Sequence, residues 1–344
     1  MKAVVVREHG GFEALRFEDL PTPVPGPHEV RVRIRAAGLN ALDTWVRRGV
    51  PGHTFPLPLV PGSDGAGVVD AVGPGVKAFA VGDEVVVIPS LSCGVCEPCS
   101  LGSDNLCVRY QILGETRDGC CAEYVVLPER AVWPKPSWVS FEDAAAFPLV
   151  FMTAWSMLVA KACLRPGETV LVLAAGSGVG SAAIQIAKLH GCRVITTVGS
   201  GAKVEKARAL GADHVIDHSK ERFVDAVRKL TDKRGVDIVF EHVGAATFAD
   251  SIKCLVRGGR LVTCGATTGA DVQINLRALF FKNLALIGNT MGRREDLVRP
   301  LRLLATGSLR PVVGMVLPWT EVAEGHRAIE SRAVFGKVVL HVTS

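Results

Sequence analysis

The chain has 344 residues, 48% hydrophobic and 21% charged, with a formal net charge of +5; that length exceeds one hydrophobic core and predicts two domains of an ordinary soluble protein. The charge is mild and no Lys/Arg run is longer than a pair, so nucleic acid is not expected as a partner. The apolar run in MKAVVVREHG is too short for a signal-peptide core, and no window approaches the ~20 apolar residues of a membrane helix, so the expected location is the cytoplasm and no membrane contact is expected.

In chain order, VRVRI (30–34) alternates apolar and basic residues with period two and predicts a half-buried strand. GVVDAVGPGVKAFAVGDEVVVIP reads as strand, turn and strand, so the first third is mostly β. Next comes CGVCEPCSLGSDNLC, with Cys93, Cys96, Cys99 and Cys107 spaced C-x2-C-x2-C-x7-C. Four thiolates at such spacing suit tetrahedral Zn²⁺, and a closed four-sulfur shell leaves no position for water or substrate. Two disulfides or an iron–sulfur cluster are the rival readings. The other six cysteines, Cys120, Cys121, Cys163, Cys192, Cys254 and Cys264, sit among apolar or small neighbours and are expected to be buried thiols.

From Val170 the rhythm changes. VLVL, a glycine-rich turn and the helix VGSAAIQIAKL form a βα unit, and the alternation continues through RVITTV, HVIDH, VDIVFEHVG, GRLVTCG and ALIGNTM with amphipathic helices between them. Short apolar strands alternating with helices predict a doubly wound parallel sheet, an α/β nucleotide-binding domain. The turn AAGSGVG (174–180) lies between strand and helix, where small residues let the backbone approach a pyrophosphate. Ala175 and Ser177 stand where G-x-G-x-x-G has its first two glycines, and Gly180 keeps the third; a tight βα connection without a ligand is the alternative. At the end of the second strand an NAD enzyme places a carboxylate for the ribose 2′-hydroxyl. Here the position is Val198, followed by Gly199, Ser200 and Lys203, so a 2′-phosphate meets a hydroxyl and a cation and NADP(H) is expected over NAD(H). Lys203 as a merely solvated helix residue is the competing reading. The tail after about residue 290 returns to strand, helix and strand and is expected to complete the first domain.

End to end, the motifs GLNALDTWVRRG, VPGSDGAGVVDAVGPGV, VGDEVV, GSDNLC, GCCAEYVVLP, AAGSGVGSAAIQIAK and FGKVVL make the chain resemble the medium-chain dehydrogenase/reductase superfamily. The resemblance implies a GroES-like β-rich domain (1–127 and 291–344, zinc lobe at 90–110) and a Rossmann domain (128–290). In its zinc alcohol dehydrogenases the lobe spelled C-x2-C-x2-C-x7-C holds a structural zinc, and the ligands of a second, catalytic zinc match Asn40, Ser63 and Leu149 here; all three ligands are missing. N-x-x-D-T-aromatic-x-R and PGSD-x-AGVV look instead like the zinc-free quinone oxidoreductase and enone reductase branch, with Trp45 where tyrosine is common.

That mixture implies an NADPH-dependent reductase that adds hydride to an enone, an enoyl thioester or a quinone, with one structural zinc per chain. Asn40 is the expected hydrogen-bond donor or ribose-orienting group; Asp43, a tentative catalytic residue, is expected to anchor its loop through Arg47; Tyr110 is a further hydroxyl candidate. The resemblance assigns Thr153 to the nicotinamide face and Gly176, Ser177, Gly178, Val179 and Gly180 to the pyrophosphate. It assigns Ser200, Lys203 and His218 to the adenosine phosphate, Val243, Gly244 and Gly265 along the cofactor, and Arg332 and Lys337 to its phosphates. His242 is expected to pack or cap. A homodimer joined near GRLVTCG and ALIGNTM is implied. The alternatives are an NAD(P)-dependent alcohol or aldehyde dehydrogenase, and a non-catalytic NADPH-binding protein that contacts RNA or a protein partner.

Overall fold

The computed structural model of the chain describes residues 1–342 and divides it into two compact units, Met1–Leu149 with Arg310–Ser344, and Val150–Leu309. In the first unit β1 (Lys2–Val6) pairs with β2 (Leu15–Asp19). The long β3 (Glu29–Leu39) runs antiparallel to β4 (Asp64–Val72), which pairs with β5 (Glu84–Val87). Along β3 the side chains of Val30, Val32 and Ile34 are buried and those of Arg31 and Arg33 half-buried, as period two requires. After β3 the chain turns at Asn40 into α1 (Ala41–Arg48). Short strands β6 (Ser90–Leu91) and β7 (Gln111–Ile112) pair at the root of the cysteine lobe, which carries the single-turn α2 (Glu97–Ser100). Strands β8 (Tyr124–Pro128) and β9 (Val132–Pro134) add to β3 and β5.

The domain boundary falls later than at 127/128. The helix α3 (Phe141–Ala146), N-capped by Ser140, packs so tightly on β3 that a Cβ on Gly38 would lie 2.3 Å from the Ala145 carbonyl oxygen. Residues 128–149 are therefore held by the β-rich unit, and the boundary lies inside α4 (Pro148–Trp155).

The second unit is a six-stranded parallel sheet. Its strands are β10 (Thr169–Val172), β11 (Arg193–Val198), β12 (His214–Asp217), β13 (Val236–Glu241), β14 (Leu255–Thr263) and β15 (Ala285–Gly288), in spatial order β12-β11-β10-β13-β14-β15. The helices between them are α5 (Gly178–Leu189), α6 (Val204–Ala209), α7 (Phe223–Leu230), α8 (Phe248–Cys254) and α9 (Leu276–Phe281). Strand order reverses between β10 and β13, the switch point at which such sheets bind ligands beyond their carboxyl ends. A further helix, α10 (Arg294–Ala305), buries Leu297, Leu301 and Leu304 and keeps residues 291–309 in this unit, so the second boundary is also later than 290/291. The tail then returns to the first sheet: β16 (Val313–Pro318), α11 (Val322–Glu330) and β17 (Lys337–His341), with β17 parallel to β16 and antiparallel to β3. No helix among the described residues is long and apolar enough to cross a membrane.

Candidate functional site

At the switch point the turn 174–180 is built by a left-handed Ala174 (φ 53°) and by Gly180, where a Cβ would lie 2.4 Å from the Ala174 carbonyl oxygen. Only glycine permits that approach. Ser177 caps α5: its Oγ accepts from the Gly180 amide at 2.9 Å and donates to the Ala174 carbonyl at 3.0 Å. The amides of Gly178 and Val179 have no partner among the described residues, so the helix start presents free N–H groups and the positive end of its dipole, a fit for a pyrophosphate. His242 abuts this turn, its Nε2 donating to the Leu173 carbonyl at 3.0 Å and lying 3.3 Å from Ser177 Oγ. Burial lowers its pKa, so it packs as a neutral ring.

Behind the turn lies a residue that sequence reasoning missed. Glu241 is fully buried; its Oε1 accepts from the amides of Val243 and Gly244 at 3.0 Å each and from Thr247 Oγ1 at 2.7 Å, while Thr263 Oγ1 donates to Oε2 at 3.2 Å. It fixes the loop that carries Val243 and Gly244. The available signal was a carboxylate closing an otherwise apolar strand, VDIVFE. Gly265 sits against the His242 backbone. Past β11, the Lys203 amide bonds the Ser200 carbonyl, and the exposed His218 ring lies 3.5 Å from where a Cβ on Gly199 would be, so Ser200, Lys203 and His218 share one end of the sheet. Partial burial and the neighbouring Lys206 lower the Lys203 pKa. Thr153, on α4, is buried with its hydroxyl unpartnered among the described residues, an orphan polar group that a bound cofactor would satisfy.

The β-rich unit holds the second cluster. Lys337, first residue of β17, is 4% exposed, and its ammonium donates to Asn40 Oδ1 at 2.5 Å and to Asp64 Oδ2 at 2.9 Å. Asn40 Nδ2 donates to the same Asp64 oxygen at 3.0 Å and towards the Gly38 carbonyl at 3.4 Å; the Leu149 amide donates to Asp64 Oδ1 at 2.8 Å. The positions matched to catalytic-zinc ligands thus surround a carboxylate whose counter-ion is a lysine. They provide no thiolate or imidazole, and the donor set does not fit a catalytic zinc.

Three expectations change here. Lys337 places its ammonium inside the protein, on Asn40 and Asp64. The Asn40 carboxamide is occupied at both ends, so it is not a free donor. Asp43 does not pair with Arg47: its carboxylate accepts the Asn40 amide at 2.7 Å and the Gly62 amide at 2.8 Å, which braces the start of α1 against the loop before β4. Arg47 turns the other way, to Glu330 and the face of Phe12. Burial pushes the Asp43 carboxyl up to about 6. Cys120 and Cys121 lie beside this cluster; burial pushes both thiols up, with the Asp64 and Asp43 charges adding to it at Cys120 and the Asp43 charge at Cys121.

The Sγ atoms of Cys93, Cys96, Cys99 and Cys107 lie within 4.8 Å of one another, among the described residues the only group of this kind. A tetrahedral zinc with bonds of about 2.3 Å places its sulfurs about 3.8 Å apart, so the set fits. Amides support it as they would support thiolates: Cys96 N bonds Cys93 Sγ at 3.3 Å, Cys93 N bonds Cys107 Sγ at 3.2 Å, and Arg109 N bonds Cys107 Sγ at 3.3 Å. Tyr110 lies at the root of the lobe, its phenol pushed above the ordinary range by burial. Arg332 is exposed just past the end of α11. Of the six cysteines expected to be buried, Cys163 is exposed and Cys264 half-buried.

Two family models cover most of the chain: an alcohol dehydrogenase GroES-like domain over residues 26–137 and a zinc-binding dehydrogenase domain over 178–306. Human quinone oxidoreductase is 31% identical over 99% of this chain and 97% of its own length. The chain belongs to the medium-chain dehydrogenase/reductase superfamily. Within that superfamily it is similar to a solved NAD-dependent alcohol dehydrogenase (55% identity, all of both chains, TM-score 0.96). It is also similar to the crotonyl-CoA carboxylase/reductase AntE solved with NADP (27% identity, 100% of this chain and 95% of that one, TM-score 0.91).

Proposed function

We propose that the protein is an NADPH-dependent reductase that transfers hydride to the β-carbon of an enone or enoyl thioester, or to a quinone, without a catalytic zinc and with one structural zinc on the cysteine lobe. The observation that carries this reading is the Asn40–Asp64–Lys337 cluster, in which Asn40, one of the positions matched to the catalytic-zinc ligands, is held by a carboxylate and a lysine. A metal polarises a carbonyl as a Lewis acid worth several kcal/mol in the transition state. An acceptor that delocalises the incoming charge into an enolate or hydroquinone anion needs only hydrogen-bond donors. NADPH, when bound, supplies the hydride. Gly178 and Val179 hold its pyrophosphate, Ser200, Lys203 and His218 its 2′-phosphate, and Thr153 its nicotinamide face; solvent returns one proton to the reduced product. The similarity to human quinone oxidoreductase and to AntE supports the same class. The edge strand β15 leaves one side of its ladder unpaired among the described residues, and we infer a homodimer through it; light scattering that gave a monomer mass would contradict this.

A second reading, an NAD(H)-linked alcohol dehydrogenase, is favoured by the 55% identity to the solved enzyme of that description. The test follows NADPH and NADH oxidation with a 2-enone, an enoyl-CoA, a quinone and a simple aldehyde, before and after dialysis against a chelator. Chelator-resistant turnover of an enone, enoyl-CoA or quinone with NADPH, with the aldehyde inert, supports the reductase. Aldehyde turnover with NADH that the chelator abolishes supports the dehydrogenase.

A further inference from the structure

We propose that Lys337 is a positioning residue of the reductase site: a protein-borne cation that fixes the Asn40 carboxamide in one orientation and joins it to Asp64. The inference deepens the reductase reading and rests on it for its turnover measurements. Its basis is a complete account of hydrogen bonds around Asn40. An asparagine side chain offers two donors and an acceptor oxygen. The oxygen takes the Lys337 ammonium at 2.5 Å, one N–H takes Asp64 Oδ2 at 3.0 Å, and the other faces the Gly38 carbonyl at 3.4 Å. The backbone amide of Asn40 is held by Asp43. Turning the carboxamide over would set its NH2 against an ammonium and its oxygen against a carboxylate, so one orientation is imposed by charge on both sides.

The group is also dry: Asn40, Asp64 and Lys337 are 7%, 0% and 4% exposed. Removing one member of a buried pair leaves the other uncompensated, so the three act together. Nothing in this arrangement reaches outward, which separates it from a surface lysine recruited to a phosphate. The ammonium has three donors and two have partners among the described residues. It remains a fixed charge next to Asn40, one of the positions matched to the catalytic-zinc ligands.

The experiment compares wild type with Lys337→Met, Lys337→Arg, Asn40→Ala and Asn40→Ala/Lys337→Met. NADPH binding is read by fluorescence titration, kcat and KM with the best acceptor found above, and the Asn40 side-chain amide by hydrogen exchange in asparagine-labelled protein. The expected result is an NADPH Kd within about threefold of wild type in Lys337→Met, with kcat down 100-fold or more. Lys337→Arg should recover at least tenfold of that loss, and the double variant should be no slower than Lys337→Met. The Asn40 amide protons should be protected in wild type and exchange freely in Lys337→Met. A Kd raised tenfold or more with kcat retained would make Lys337 a cofactor-phosphate ligand and overturn the proposal. So would single-variant losses that multiply in the double variant. Unchanged Asn40 protection in Lys337→Met, or in Lys337→Ala if the methionine variant does not fold, would overturn it whatever the turnover. A wild type inactive with every acceptor but with Lys337-dependent Asn40 protection would instead defeat the reductase reading alone.

Discussion

Asp43 is a carboxylate with both oxygens committed to backbone amides and, among the described residues, no counter-ion at hydrogen-bond distance. Desolvation outweighs those two bonds and raises its pKa from 3.8 to about 6. The sign follows from linkage: the native state binds this proton more tightly than the unfolded chain, so the contribution is greatest below pH 3.8 and is lost as the pH rises through 6. Asp43→Asn removes that titration. The difference in unfolding free energy between wild type and Asp43→Asn, measured by urea denaturation from pH 4 to 7, should therefore move against wild type as the pH rises. The total movement is on the order of 3 kcal/mol. A pH-independent difference would refute the assignment. Asn40 and Asp64 could be named from local spelling, but their partner Lys337 lies 297 residues beyond Asn40. Only the pairing of β17 with β3, Val338 opposite Leu39, brings it there, and no spacing rule contains that register.

Among the elements, the cysteine lobe and the nucleotide turn were legible because each is written within fifteen residues and its chemistry is local. The lobe's own apolar residues face outward, Val95, Leu101, Leu106 and Val108 being exposed, so little core holds it and its fold should depend on the metal. Cys107→Ser is expected to lower the zinc content and to make residues 93–107 sensitive to limited proteolysis, with NADPH titration unchanged because the turn 174–180 belongs to the other unit. Loss of NADPH binding in that variant would contradict the division of labour. Gly180→Ala tests the turn: a methyl 2.4 Å from the Ala174 carbonyl oxygen must push the backbone away from its capped geometry. NADPH affinity should fall at least tenfold, read by the same titration. The helices α9 and α10 were not legible. In REDLVRPLRLLA a proline breaks the reading of the pattern, yet Pro300 sits inside α10 with Leu297, Leu301 and Leu304 buried on the same helix. The domain boundaries moved with it, because boundaries depend on which core a helix joins and not on its own periodicity.

For the whole molecule, alternation of strand and helix was sufficient to foresee the doubly wound sheet, since a parallel sheet needs a covering helix at every crossover. Period-two patterning likewise foresaw the β-rich unit and the return of the chain's tail to it, but not its register, in which Val338 of β17 lies opposite Leu39 of β3. The inventory of metal-binding side chains carries the remaining prediction. The chain has ten cysteines and nine histidines, enough for several sites by count. Yet among the described residues only Cys93, Cys96, Cys99 and Cys107 converge as a group able to hold an ion. Around Asn40, a position matched to the catalytic-zinc ligands, an ammonium already neutralises the Asp64 carboxylate that the Asn40 side chain meets. A divalent cation there would have to displace Lys337 and then bind through an amide oxygen and a carboxylate, a weak zinc site. Metal analysis of protein purified without chelator should therefore give one zinc per chain. Exhaustive chelation should lower thermal stability while leaving enone, enoyl-CoA or quinone reduction by the surviving folded fraction intact. Two zincs per chain, with activity lost in step with the second, would mean that Asn40, Ser63 and Asp64 hold a metal after all and that the chain reduces or oxidises as its alcohol dehydrogenase relatives do.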